Sequence, residues 1–384
     1  MIQYQAGPRF TPYELAAMLG MDRPTREQAA VISAPLEPML VVAGAGSGKT
    51  GTMAARVVWL VANGYVRPEQ VLGLTFTRKA AGELAHRVRT WLGQLRRRMG
   101  GAASELDGAE PTVSTYHAFA ARVLTEHGLR AGYEPAALLL TEAARWQVMD
   151  ALVRAYDGDM SGVTFAPDTV TDAVLALAGE LAEHLCDPED VARWTGRFLA
   201  EVTERPGRVY ARVREMLDRQ RVRLRLLPLV RRYEQRKRDL EAIDFGDQVA
   251  RAARVARDHP EVGEVERARF RVVLLDEYQD TSHAQAVLLR SLFGGGHPVT
   301  AVGDPCQSVY GWRGASAGTL ERFPTLFRTR TGDPAPVREL TTSWRNRPEI
   351  LAVANALAAP LRAAGARVAT LTAAPGAPAS PSDP

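Results

Sequence analysis

The chain has 384 residues, 46% of them hydrophobic and 24% charged, with a formal net charge of +4. That length and apolar content exclude a disordered or fibrous polypeptide and predict a globular protein of two or three domains. No run of about 18 apolar residues occurs, and the start MIQYQAGPRFTPYEL lacks a basic-then-apolar leader, which argues against a membrane span or secretory signal and predicts a cytoplasmic protein with no membrane partner.

In chain order, PTREQAAVI (24–32) predicts a helix start with Thr25 as N-cap and Gln28 at the third helical position, a reciprocal capping box. PMLVVAG reads as a short buried parallel strand followed by a glycine-rich turn, and GKTGTMAARVVWLVANG as a helix that stops at Gly64. VLGLTF (71–76) is a second strand, RKAAGELAHRVRTWLGQLRRR a helix, 100–108 a loop, and TVSTYHAFAARVL (112–124) a short strand running into a helix. From 125 to 240 the pattern is helical throughout. RVVLLDE (271–277) is a buried strand ending in two acids, followed by a helix through 293, a GGGHP break and a further strand, VTAVGD (299–304). Strands alternating with helices on both sides of a helical block predict an α/β fold, a parallel sheet with an inserted all-helical subdomain. The Ala/Pro/Ser-rich end, LTAAPGAPASPSDP, is predicted to be disordered.

Charge is segregated along the chain. Residues 141–190 hold 11 acids against Arg145 and Arg154, whereas 205–238 hold 12 arginines and Lys237 against Glu215, Asp218 and Glu234. The second segment is either a solvated helix face or a surface for phosphate backbone or an acidic partner. Only three of the 48 basic residues are lysine, Lys49, Lys79 and Lys237, so a lysine here marks a place for a compact ammonium. Cys186 and Cys306 are too few and too far apart to make a metal site.

AGAGSGKT (43–50) sits between a predicted strand and helix, the context of a phosphate-binding loop. Backbone amides across Ala43, Gly44, Ala45, Gly46, Ser47 and Gly48 can face phosphates at a helix N-terminus. Lys49 would reach the β- and γ-phosphates of ATP, and Thr50 would hold magnesium. LLDEYQD (274–280) supplies Asp276 as a second magnesium residue and Glu277 to polarise an attacking water, which favours hydrolysis over transfer to another acceptor. GDPCQSVYGWRG (303–314) mixes an acid, an amide, aromatics and an arginine in a way that a core strand has no use for.

Taken together, PTREQAAVI, AGAGSGKT, LTFTRKAAGEL, VSTYHAF, IDFGDQV, LLDEYQDT, VGDPCQSVYGWRGA and LTTSWRNRPEIL resemble, in order, the ATP-binding half of UvrD/Rep-type superfamily 1 DNA helicases across residues 22–355. PRFTPYELAAMLG and GTMAARVVWLVANGYV are most similar to the AdnB-type subunit of actinobacterial break-resecting helicase–nucleases. The resemblance implies a RecA-like P-loop NTPase domain in two parts, 1–124 and 241–335, around a helical insertion at 125–240. The start of an incomplete second RecA-like domain would follow at 336–368, and a disordered tail at 369–384. It also implies ATP and magnesium as cofactors, single-stranded DNA or a duplex–single-strand junction as partner, and 3′-to-5′ movement in DNA repair or recombination.

Residue by residue, the resemblance implies that Gln28 recognises the adenine edge, Trp344 stacks on adenine, Gln307 senses the γ-phosphate and Arg345 acts as an arginine finger. Phe76, His117, Tyr310, Trp312 and Arg313 would line the single-strand track, where stacking tolerates any base. Three positions depart from the family pattern: Ala43 opens the phosphate loop in place of glycine, Gly51 follows it where relatives often carry arginine, and Cys306 stands at an often polar position. Because the chain ends soon after Arg345, the expectation is a truncated motor that binds MgATP and hydrolyses it weakly, with a second helicase–nuclease subunit as a possible complement. The competing expectation is a non-motor DNA-binding or assembly subunit with a vestigial nucleotide site.

Overall fold

Four apolar runs, MLVVA, VLGLT, VVLL and VTAVG, are completely buried strands of one parallel sheet in the computed structural model, which describes residues 8–99, 109–205, 207, 210–309, 311 and 318–375. Runs without polar alternation are what a sheet covered on both faces demands. The chain divides into two compact units, one of residues 1–119, 256–281 and 289–384, the other of 120–255 and 282–288. The inserted unit is therefore somewhat longer than the helical block expected from the sequence.

In chain order the elements are α1 (Pro12–Leu19), α2 (Arg26–Ile32), β1 (Met39–Ala43), α3 (Lys49–Ala62), β2 (Val71–Thr75), α4 (Arg78–Met99), β3 (Thr112–Thr115) and α5 (Tyr116–His127). There follow β4 (Leu138–Leu139), α6 (Glu142–Arg154), α7 (Pro167–Glu183), α8 (Pro188–Glu204), α9 (Ala211–Asp239), β5 (Ala242–Ile243) and α10 (Phe245–Asp258). The last group is α11 (Pro260–Arg269), β6 (Val272–Leu275), α12 (His283–Phe293), β7 (Val299–Gly303), α13 (Thr319–Leu326), β8 (Val337–Leu340), β9 (Thr342–Ser343), α14 (Pro348–Ala363) and β10 (Thr372–Ala373).

The main sheet has the order β3-β2-β6-β7-β1-β8, every neighbouring pair parallel. That order sets the C-terminal end of β7 between those of β1 and β6, so the segments following all three open on the same edge. Two features differ from the sequence expectation. Residues 337–340, assigned above to the start of a second domain, pair with β1 as the edge strand of this sheet; Leu340 is buried, Val337 and Arg338 are half-buried and Glu339 is exposed. Residues 372–373, assigned to the disordered tail, form β10 and pair with β9; residues 376–384 of that tail lie outside the described residues.

Helix α3 buries eleven of its fourteen residues, among them Arg56. This guanidinium has no carboxylate partner among the described residues. It instead donates to the carbonyls of Val31, Ile32, Ala34 and Pro35 at the end of α2, at 2.8–3.1 Å. Burial, with the charge of Arg338, pushes its pKa down to about 10. An arginine can stay charged there because four oxygens replace its water. Arg56→Ala leaves those carbonyls without donors in the core, and the expected outcome is a loss of about 3 kcal/mol or more in unfolding free energy, measured by urea titration.

In the second unit, α6, α7 and α9 pack Met149, Val174, Leu181, Leu229, Val230 and Tyr233 into a separate core. The segregated charges meet here: Arg225 pairs with Asp159, Arg231 with Glu189 and Arg232 with Asp157. Within α9, Arg219 pairs with Glu215 and Arg221 with Asp218. Three of the twelve arginines are thus matched by the acidic segment, and such exposed pairs add little stability. Lys237 is buried, 2.6 Å from Asp247 and 3.2 Å from Asp244 of the IDFGDQV stretch, with its ammonium over the Tyr233 ring. A compact ammonium fits that enclosure where a guanidinium fork would not. Strands β4 and β5 pair within this unit; two residues each are too few to leave a strand pattern in the sequence.

Candidate active site

The phosphate-loop motif runs from the end of β1 to the first turn of α3, as its pattern requires. Gly46, at φ +77°, holds a left-handed turn, and Ser47 closes the loop by donating through both its amide and its hydroxyl to the Gly44 carbonyl. Lys49, the first residue of α3, places its ammonium 3.3 Å from Glu277 Oε2 across 228 residues of sequence.

Asp276 and Glu277 follow β6. Asp276 is buried and its Oδ1 accepts the Glu277 amide at 3.1 Å. Burial and the neighbouring Glu277 charge push its pKa up to about 6, against the opposing pull of Lys49 and that amide. No cation pairs with this carboxylate among the described residues. The Asp276 carboxylate and the Thr50 hydroxyl at the start of α3 are both oxygen donors, the kind that would suit a hard divalent cation such as magnesium. Glu277 itself has φ +50°, unusual for a residue with a side chain, so the turn that aims it is under strain.

Gln279, which sequence reasoning passed over, joins the two acidic strand ends. Its Nε2 donates to Glu277 Oε2 at 2.8 Å while its Oε1 accepts the Asp304 amide at 3.0 Å. Asp304 in turn holds Gln307: Gln307 Nε2 donates to Asp304 Oδ2 at 2.6 Å, and the Cys306 amide donates to Asp304 Oδ1. The Val309 amide donates to Asp280 Oδ1. The segment after β7 is thereby laced to the one after β6. Cys306 is exposed as a residue, yet partial desolvation of its thiol, then the Asp304 charge, pushes its pKa up.

Gln28 caps α2 through Oε1, which accepts the Thr25 amide, and its Nε2 donates to the Ser47 carbonyl at 3.2 Å. Each end of the carboxamide keeps one further hydrogen-bonding position for a base edge. Beside it, Glu27 ties α2 to the segment after β8, accepting from Thr341 Oγ1 at 2.7 Å and the Thr342 amide at 2.8 Å. Burial alone would raise its pKa, but those hydrogen bonds hold it below the usual carboxylate value.

That segment lies directly on the phosphate loop. The Trp344 amide donates to the Gly46 carbonyl at 2.8 Å and Ser343 Oγ donates to the Ala45 carbonyl at 3.1 Å. A Cβ on Gly46 would stand 2.6 Å from Arg345 Cβ, and one on Gly44 would stand 2.5 Å from the Leu371 side chain. The indole of Trp344 and the guanidinium of Arg345 remain exposed.

On the β2 side, the Phe76 ring packs against Tyr116 with centroids 4.7 Å apart, and the Tyr116 hydroxyl donates to the Asp276 carbonyl at 3.1 Å. Burial and the Asp276 charge keep that phenol protonated, with its pKa raised. His117 is half-buried as the second residue of α5. Tyr310, Trp312 and Arg313, the remaining expected DNA contacts, lie outside the described residues.

Residues 24–328 match the UvrD/REP helicase N-terminal domain. The chain belongs to the UvrD/REP helicase family. It is similar to the ATP-dependent DNA helicase UvrD1 of Mycobacterium tuberculosis (strain ATCC 25618 / H37Rv), 32% identical over 346 residues, which are 86% of this chain and 38% of that protein. DNA helicase II of Escherichia coli (strain K12) is 29% identical over 337 residues, with coverages of 88% and 40%. The ATP-dependent DNA helicase PcrA of Bacillus subtilis (strain 168) is 28% identical over 319 residues, with coverages of 83% and 37%. The chain spans about two-fifths of the length of these curated UvrD/REP relatives. Against the UvrD/REP pattern, Gly51 leaves room for a guanidinium from another helix: Arg87 Nη1 of α4 is 3.2 Å from where a Cβ on Gly51 would stand.

No helix among the described residues is long and apolar enough to cross a membrane.

Proposed function

We propose that this chain is the nucleotide-hydrolysing part of a DNA helicase motor, coupling MgATP hydrolysis to 3′-to-5′ movement on single-stranded DNA in repair or recombination. The observation that carries the reading is the contact of Lys49 with Glu277 at the mouth of the phosphate loop, beside the buried and cation-free Asp276. A triphosphate in the loop competes with Glu277 for the Lys49 ammonium. Once Lys49 turns to the β- and γ-phosphates, Glu277, still oriented by Gln279, is free to take a proton from the water that attacks the γ-phosphorus. Thr50 and Asp276 would hold a magnesium ion, which neutralises phosphate oxygens when bound. Arg345 lies beside Gly46, where it can offset charge on the γ-phosphate as the bond to ADP breaks.

Gln28 and Trp344 are the adenine contacts in this reading, and Gln307 the γ-phosphate sensor. Phe76, His117, Tyr310, Trp312 and Arg313 stack on or flank unpaired bases, the arrangement that grips without reading sequence. The finer likeness to AdnB-type subunits rests on the N-terminal motifs and brings with it a helicase–nuclease partner and a cytoplasmic setting.

Steady-state ATP hydrolysis, with and without single-stranded DNA, tests the reading. Turnover is expected to rise with DNA. Lys49→Ala is expected to weaken MgATP binding by about 30-fold or more, the cost of removing one partner from a desolvated charge contact. If Lys49→Ala leaves DNA binding and every measurable activity unchanged, the non-motor binding-subunit reading replaces this one.

A further inference from the structure

The edge of the main sheet opposite the phosphate loop carries a second cationic site. A cleft of about 770 Å³ opens there between the end of α12 and the turn after α13, lined by Arg267, Arg290, Arg328, Arg330 and His297 and, among the described residues, by no acidic one. Glycines build it. Gly296, at φ +81°, comes so close to the opposite turn that a Cβ would meet Arg330 Cγ at 2.4 Å and its amide nitrogen at 2.7 Å. The GGG stretch, which the motor motifs do not use, thus seats one turn against the other and leaves the arginines around a shared hollow.

The cations are not neutralised locally. Arg267 and Arg328 each donate one bond to a carbonyl, of Leu292 and Gly332, and the side chains of Arg290 and Arg330 have no partner among the described residues. Asp333, next to the lining Gly332, accepts from the Thr331 hydroxyl, and Glu266, which precedes Arg267, is buried away from the lining. His297 donates to the Phe270 carbonyl, which leaves its Nε2 shielded from solvent without a partner. Burial, with the charges of Arg267, Arg330 and Arg271, pushes that imidazole down to about 4, so the charge of the cleft is carried by its arginines.

We propose that this cleft binds a terminal phosphate group, as a free polyphosphate or as the 5′-phosphate of a DNA strand. Four guanidinium groups around one hollow call for a ligand with more than one charge and more than two acceptor oxygens. A terminal phosphate supplies about −2 and three strong acceptors, whereas a carboxylate supplies one charge and two oxygens.

The test is calorimetric titration, at fixed salt, of the chain carrying Lys49→Ala so that the phosphate loop competes less. The probes are tripolyphosphate and a short single-stranded oligonucleotide bearing a 5′-phosphate or a 5′-hydroxyl. Adding Arg290→Gln with Arg330→Gln, both exposed and unbonded, is expected to weaken tripolyphosphate by about tenfold or more. Arg219→Gln with Arg221→Gln, which removes the same charge from α9, is expected to leave it unchanged. If the cleft pair also weakens the 5′-phosphorylated strand and spares the 5′-hydroxyl strand, a DNA end is the source; if neither strand responds, the source is a free polyphosphate. Equal losses in the two double variants, no loss in the cleft pair, or hexaglutamate binding as tightly as tripolyphosphate at the same arginines would overturn the proposal.

Discussion

Arg345→Ala is expected to lower the kcat of ATP hydrolysis by about 10³- to 10⁵-fold while MgATP affinity stays near that of the parent chain. A finger residue acts on charge that develops only as the γ-phosphoryl group leaves, so its loss shows in turnover and not in ground-state binding. The sequence alone ties this residue to a second domain that must close over the nucleotide. In the structure its backbone is already held on the loop by the Trp344 amide on Gly46 and the Ser343 hydroxyl on Ala45. Single-turnover hydrolysis alongside equilibrium nucleotide binding separates the two quantities. Arg345→Lys should recover little, because a point charge does not reproduce the planar fork. Unchanged turnover with weaker DNA binding would remove the residue from the nucleotide site.

Glu277→Gln is expected to reduce kcat by about 10²- to 10⁴-fold, the usual worth of a positioned general base. The substitution keeps the shape of the side chain and removes only its capacity to accept a proton at neutral pH. Nucleotide binding should hold or tighten, since Lys49 no longer has a carboxylate at 3.3 Å to leave before meeting phosphate. Burst measurements of γ-phosphate cleavage and a nucleotide-binding isotherm on the same variant give both answers. Parallel loss of binding and turnover would instead make Glu277 a scaffold for Lys49.

The strands and the phosphate loop were legible because a parallel sheet writes them plainly: unbroken apolar runs, each ended by glycine or acid. Edge strand β8 was harder, since Val337, Arg338 and Glu339 are only partly covered and show no such run. Residues whose roles depend on sheet order left no local trace. Tyr116 meets Asp276 across 160 positions, Gln279 meets Asp304 across 25 and Glu27 meets Thr341 across 314. The basic block at 205–238 read equally well as a solvated face or a binding surface. Pairing with Asp157, Asp159 and Glu189 occurs only once the helices pack.

Tyr116 sits between two jobs. Its ring supports Phe76, and its hydroxyl grips the main chain at the very residue suited to hold the metal. A displacement of either end is passed to the other through one stiff, uncharged lever with no rotatable bond between ring and oxygen. In the proposed reading, chemistry at the phosphate tail and the hold on a strand would be geared together within a single unit of the fold, and a phenylalanine in this position would let the engine idle.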